Sequence, residues 1–142
     1  MRNMDRWLGD GGMPIVGAIG ASLDSYGTSD AGGWVRGTWT PTPMACNPRG
    51  IVQAGVHGVV LDAAMNFAIN AGLDGRDVAR ATLEMKVETM RAASAAEALS
   101  IRGAVVRAAR QVAYAEATVV DGDGRIVSRS TGTFLLQRAS EA

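Results

Sequence analysis

From about Gly55 to Asn70 the chain reads GVHGVVLDAAMNFAIN, a run of helical length that is apolar nearly all round. Such a helix has to be buried on most of its sides, so the rest of the chain must be able to wrap it. Gly72 supplies a C-terminal stop. Upstream, Asn47-Pro48 and Gly50 are turn signals, and Pro48 pushes Asn47 towards an extended conformation, so the helix is entered from a loop. The run is too short and carries too many polar residues for a membrane span.

One residue conflicts with this pattern. Asp62 stands in the middle of Val-Val-Leu-Asp-Ala-Ala, where a buried carboxylate costs several kcal/mol unless it is paired, hydrogen-bonded or protonated. Asn66 and Asn70 follow at one-turn spacings, giving a narrow polar stripe on an oily helix. Two readings follow. Asp62 is either a carboxylate satisfied inside a packed core, or a catalytic carboxylate in an apolar pocket that tunes its pKa.

A sheet is the wrapping the remaining segments can supply. Pro14 to Tyr26, small and apolar, reads as a strand weakened by Gly17 and Gly20, and Trp34 to Thr40 reads as a second. After the helix, Ala79, Ala81, Leu83, Met85 and Val87 alternate with Arg80, Thr82, Glu84, Lys86 and Glu88, which predicts a strand with one buried face. Leu99 to Arg107, Gln111 to Val120 and Ile126 to Gln137 are three more, with a hairpin signal at Asp121-Gly-Asp-Gly124. Two strands, one buried helix and four strands suggest an α+β fold, an antiparallel meander wrapped around the helix. The 142 residues fit one domain, 1–142, with a short N-terminal arm, 1–13, in which Met4 to Leu8 form a short helix or an ordered arm.

Formal net charge is zero and no basic run is present, which argues against nucleic acid as a partner. One cysteine and one histidine exclude the common multi-His and cysteine-cluster metal sites within one chain. The N-terminus lacks the basic and apolar regions of a signal peptide, so a cytoplasmic location without a membrane partner is expected.

Taken together, Asn47…Gly50…Gln53-Ala54-Gly55…Asp62, the strand ATLEMKVETMRAA and the ending DGDGRIVSRSTGTF resemble the hotdog-fold acyl-CoA thioesterases, nearest the phenylacetate-pathway and 4-hydroxybenzoyl-CoA type. The resemblance spans about residues 14–137. It implies a hotdog fold, an antiparallel sheet around one long central helix. It also implies hydrolysis of an acyl-CoA to free acid and coenzyme A, with no cofactor beyond the coenzyme A of the substrate. Homodimers or dimers of dimers, with sites at subunit interfaces, are implied as well. Position by position, Gln53-Ala54-Gly55 matches the family's His-Gly-Gly at the loop–helix junction. Asp62 matches its helix carboxylate, Asn47 its loop Asn or Gln, and Thr82 a Ser or Thr that reaches across the dimer.

On this resemblance the Ala54 N–H polarises the thioester carbonyl at the helix N-terminus, and Gly55 allows close approach. Asp62 acts as general base or as nucleophile. Asn47 orients water or carbonyl, Gln53 stands in for the usual His, and Thr82 positions water from the partner subunit. Gln cannot titrate as His does, and Ala adds a methyl at a close approach. His57 and Asn66 are further candidates for contact with the substrate. His57 points about 140° from Asp62 around the helix, which favours a packing role over a catalytic pair. Cys46, with no base in view, reads as a small loop residue. Two other classes compete: a hotdog hydratase or dehydratase, and a non-catalytic acyl-CoA- or lipid-binding protein.

Overall fold

A computed structural model describes residues 2–139. Its regular elements are α1 (Pro14–Ala18), β1 (Ala21–Ser29), β2 (Gly32–Trp39), α2 (Ala54–Ala71), β3 (Val78–Thr89), β4 (Leu99–Ala108), β5 (Val112–Val120) and β6 (Ile126–Gln137), with 3₁₀ turns at Asp5–Trp7 and Pro43–Ala45. All six strands form one antiparallel sheet in the order β1-β2-β4-β5-β6-β3. This is the hotdog arrangement, α+β, with α2 held against one face of the sheet.

The helix packs closely because the sheet offers glycine beneath it. A β-carbon at Gly33 of β2 would fall 1.9 Å from the Ala68 carbonyl oxygen, and one at Gly103 of β4 would fall 2.8 Å from that of Ala64. Side chains at either position would drive the helix off the sheet. Leu61, Ala64, Met65, Phe67, Ala68 and Ile69 of α2 are buried with Val35, Ile101, Ala115, Val119 and Phe134 of the strands. Met65, Phe67 and Ile69 therefore build the core. Each large side chain so buried is worth about 1.5–3 kcal/mol.

Three expectations need correcting. The segment from Pro14 begins as a one-turn helix, because proline suits the first helical position; the strand starts only at Ala21, after Gly20 at φ +92°. The last four strands are not a simple meander. β4, β5 and β6 are, but β3 pairs with β6 and leaves β4 to join β2. The alternation in β3 also does not give a buried face: none of its residues is buried, and Leu83 is 54 % exposed. β3 is an edge strand with a single neighbour, and irregularities at Ala79/Ala81 and Thr82/Glu84 break its period of two.

Residues 2–13 are tied to the body of the fold. The Met4 N–H donates to the Tyr26 hydroxyl at 2.9 Å, and that hydroxyl donates to Asp5 Oδ1 at 2.7 Å. The Arg2 N–H reaches the Leu73 carbonyl at 3.2 Å, just past the end of α2. Among the described residues, no helix is long and apolar enough to cross a membrane.

Candidate functional site

The loop before α2 is a tight turn closed by its own asparagine. Asn47 Oδ1 accepts from the Arg49 and Ile51 N–H groups at 2.9 and 3.2 Å, and Gly50 completes the turn at φ +76°. The Val52 N–H then bonds to the Ala93 carbonyl at 2.8 Å and the Gln53 N–H to the Ala45 carbonyl at 2.9 Å, which clamps the start of the helix. Asn47 is thus first a turn-former, with only its amide nitrogen outside that turn.

Gln53 is the N-cap residue, extended at φ −62° and ψ 136°, and its side chain makes no capping bond. Ala54 is the first helical residue. Gln53, Ala54 and Gly55 are all exposed. The first N–H groups of an α-helix have no intrahelical partner and carry the positive end of its dipole, so this end is a ready acceptor site for developing negative charge. A β-carbon at Gly55 would meet nothing in this chain, so the space there matters only to something brought in from outside. A cleft of about 270 Å³ opens here between Ile51, Val52, Ala54, Met90 and Ala92.

Asp62 lies two turns further along. It is half-buried rather than sealed, because the stripe Asp62, Asn66, Asn70 faces the edge strand β3 and not the body of the sheet. Thr82 of β3 donates its hydroxyl hydrogen to Asp62 Oδ1 at 2.8 Å. That bond lies within one chain, and it follows from β3 being the next strand after α2. Asn70 donates to Asn66 Oδ1 at 3.1 Å and accepts from the Ala79 N–H at 2.9 Å, so the lower stripe ties α2 to β3.

His57 does not join this site. It is 2 % exposed, its Nδ1 sits 2.8 Å from Ser128 Oγ, and its ring meets Trp39 edge-on at 5.2 Å between centroids. Burial holds its pKa below the usual imidazole value. It forms part of the cleft wall at the helix start but presents almost no surface to it. Five residues before Asp62, His57 turns towards β6 and the core. Cys46 donates to the Thr42 carbonyl at 3.6 Å and acts as a loop residue. Among the described residues, no cluster of His, Cys, Asp or Glu is arranged to hold a metal ion.

A larger concavity lies elsewhere. About 690 Å³ lies on the outer face of the sheet, between Trp34, Arg36, Arg102, Glu116 and Arg129. It is separated from Asp62 by the thickness of the sheet, and its Arg129 is already paired with Glu88 at 3.1 Å.

No protein-family model matches the sequence, and no curated protein does. Solved structures do match. One is a proposed thioesterase from Ralstonia eutropha, related to phenylacetic acid degradation, 25 % identical over 87 % of this chain and 89 % of that one, with a TM-score of 0.73. A thioesterase from Haemophilus influenzae is 14 % identical over 87 % and 82 %, with a TM-score of 0.77. A hypothetical thioesterase from Streptococcus pneumoniae, solved with coenzyme A, is 22 % identical over 80 % and 86 %, with a TM-score of 0.66. The chain has the hotdog fold, and these structural neighbours carry the name thioesterase.

Proposed function

We propose that this hotdog chain hydrolyses acyl-CoA thioesters, with Asp62 as the base or nucleophile and the Ala54 N–H as the donor to the oxyanion. The observation that carries the reading is one helix bearing both parts: an open, uncapped N-terminus, and a half-exposed carboxylate held by Thr82 at 2.8 Å. Preorganised donors aimed at a developing oxyanion lower the barrier by roughly 3–4 kcal/mol each. A carboxylate fixed by a hydroxyl keeps its second oxygen for water or for the thioester carbon. Gln53 and Asn47 flank the helix start and offer neutral hydrogen bonds to the carbonyl or to water. His57 is sealed, which weighs against a hydratase mechanism built on a His–carboxylate pair.

The two parts do not meet within one chain. Eight residues separate Ala54 from Asp62, a rise of about 12 Å at 1.5 Å per residue. A base and an oxyanion donor must both come within about 3 Å of the reacting group. Two copies solve this if each lends one part to a shared site. The exposed edge of β3, with Leu83 54 % exposed and Met90, just past its end, 45 % exposed, is the surface on which a second copy would pack.

The test is complementation. Ala54→Pro removes the donor N–H while keeping the helix, since proline is tolerated at the first helical position and Gln53 is already extended. Ala54→Pro and Asp62→Asn should each lower acyl-CoA hydrolysis about 100-fold. Unfolded together and refolded as mixed dimers, they should regain about a quarter of wild-type activity, because half the dimers are mixed and each has one complete site. A mixture no more active than its parts rejects the shared site. A monomer at micromolar concentration by sedimentation rejects it too.

A further inference from the structure

The outer face of the sheet, away from α2, carries two cross-strand rows that the fold does not require. Strand register sets Arg36 of β2 directly opposite Arg102 of β4, and Arg102 directly opposite Thr118 of β5. The row beside it runs Trp34, Ala104, Glu116 and Thr131 across β2, β4, β5 and β6. Small side chains at Ala104 and Thr118, set between long ones, hollow out the concavity of about 690 Å³. Like charges directly opposite on neighbouring strands are destabilising. Arg36 and Arg102 are both exposed in this cleft, and among the described residues neither has an ion-pair partner. Arg129, further along the row, is different, because it meets Glu88 at 3.1 Å.

Arg36 is also held in place. Its guanidinium lies 5.7 Å from the centre of the Trp34 ring. Trp34 in turn lies across Gly27 of β1, where a β-carbon would come within 2.5 Å of the ring. A stacked guanidinium keeps the N–H groups on its edge free, in the planar fork that suits a phosphate. Glu116 is exposed in the same cleft and likewise has no ion-pair partner among the described residues. It stands on the diagonal from Arg102 across β4 and β5, a backbone separation of about 7–8 Å. The cleft therefore has a cationic end and a carboxylate end that lie close together without pairing.

We infer that this concavity binds a ribonucleoside 5′-phosphate, with the phosphate between Arg36 and Arg102 and the ribose hydroxyls on Glu116. A phosphate relieves the repulsion between the two guanidinium groups and takes hydrogen bonds from both. An ionised carboxylate only accepts hydrogen bonds, so Glu116 selects hydroxyl groups and repels a second phosphate. A phosphoribosyl unit spans the diagonal between the two ends, and the volume is that of a small-molecule site. Coenzyme A carries the same phosphate and ribose, but its ribose 3′-hydroxyl is phosphorylated, which sets negative charge against Glu116. The face lies across the sheet from Asp62, and the inference does not rest on the thioesterase reading.

Equilibrium dialysis with labelled AMP, at fixed ionic strength, tests it. AMP should bind the wild-type protein, and adenosine, inorganic phosphate and coenzyme A should each displace it only at concentrations about tenfold or more above that of unlabelled AMP. Arg102→Gln should weaken AMP about tenfold. Without ligand it should unfold at no lower temperature than wild type, because the like-charge pair is gone. Arg107→Gln, exposed on the same strand but outside the cleft, should leave AMP affinity within about twofold. Glu116→Gln should bring coenzyme A to within about threefold of AMP as a competitor. The inference is overturned if AMP does not bind at millimolar concentration, if inorganic phosphate or coenzyme A displaces it as well as AMP does, or if Arg107→Gln weakens it as much as Arg102→Gln.

Discussion

Helix α2 carries two polar pairs of the same length and opposite consequence. His57 and Ser128 meet at 2.8 Å, as do Thr82 and Asp62. The first pair joins α2 to β6, inside the sheet, and both partners are buried. The second joins α2 to β3, the edge strand, and both partners remain half-exposed. A hydrogen bond of given geometry therefore says nothing about function until its place in the sheet is known. Sealed, the pair satisfies two buried polar groups and holds the core in register. At the edge, the same bond fixes a carboxylate that stays open to solvent.

The sharpest way to break this comparison is Asp62→Asn. It keeps the shape and removes the base and the nucleophile. Hydrolysis of the best acyl-CoA should fall about 100-fold or more, while the denaturant midpoint stays close to wild type because the group is not sealed. A folded variant with wild-type turnover would move Asp62 to the structural side of the comparison. His57→Ala should do the reverse. It empties a buried site beside Trp39 and strands the Ser128 hydroxyl, so unfolding free energy should drop by about 3 kcal/mol. Turnover per folded molecule should stay within a factor of about 3, provided that assay and refolding are done below the lowered Tm.

Acidity separates the pairs next. Burial lowers the pKa of His57 in the folded state below its ordinary 6.5. The unfolded chain then binds the proton more readily, so the contribution of His57 to stability is complete above about 6.5 and is lost as pH falls towards the folded value. His57→Gln should flatten the stability profile across that window; an unchanged slope would show that another group causes it. The smallest effect belongs to Thr82→Val, which deletes one part-exposed hydrogen bond. It should cost about 1 kcal/mol or less of stability and lower turnover several-fold by loosening Asp62. Stronger loss from Thr82→Val than from Asp62→Asn would make the hydroxyl, rather than the carboxylate, the centre of the site.

Much of this was legible in the linear chain. The bounds of α2 follow from the apolar run and Gly72, and the structure places them at Ala54–Ala71. β2, β4, β5 and β6 appear within a residue or two of where composition and hairpin signals put them. Asp62 stands out because a charge in an oily helix is visible without coordinates, and the angle from Asp62 already turned His57 towards packing. These are local properties, set by side-chain periodicity over a few turns.

What tertiary structure decided is everything that depends on neighbours far along the chain. β3 alternates like a half-buried strand, yet it closes the sheet at an edge through pairs such as Met85 with Gly132 and Val87 with Ser130, which no local pattern encodes. That one placement leaves Asp62 half-open, brings Thr82 onto it within the same chain, and leaves the outer edge of β3 without a neighbouring strand. Side-chain period reports which residues share a face. Whether that face meets core, solvent or another molecule is set by the order in which strands pair, and that order is fixed by packing around α2 as a whole.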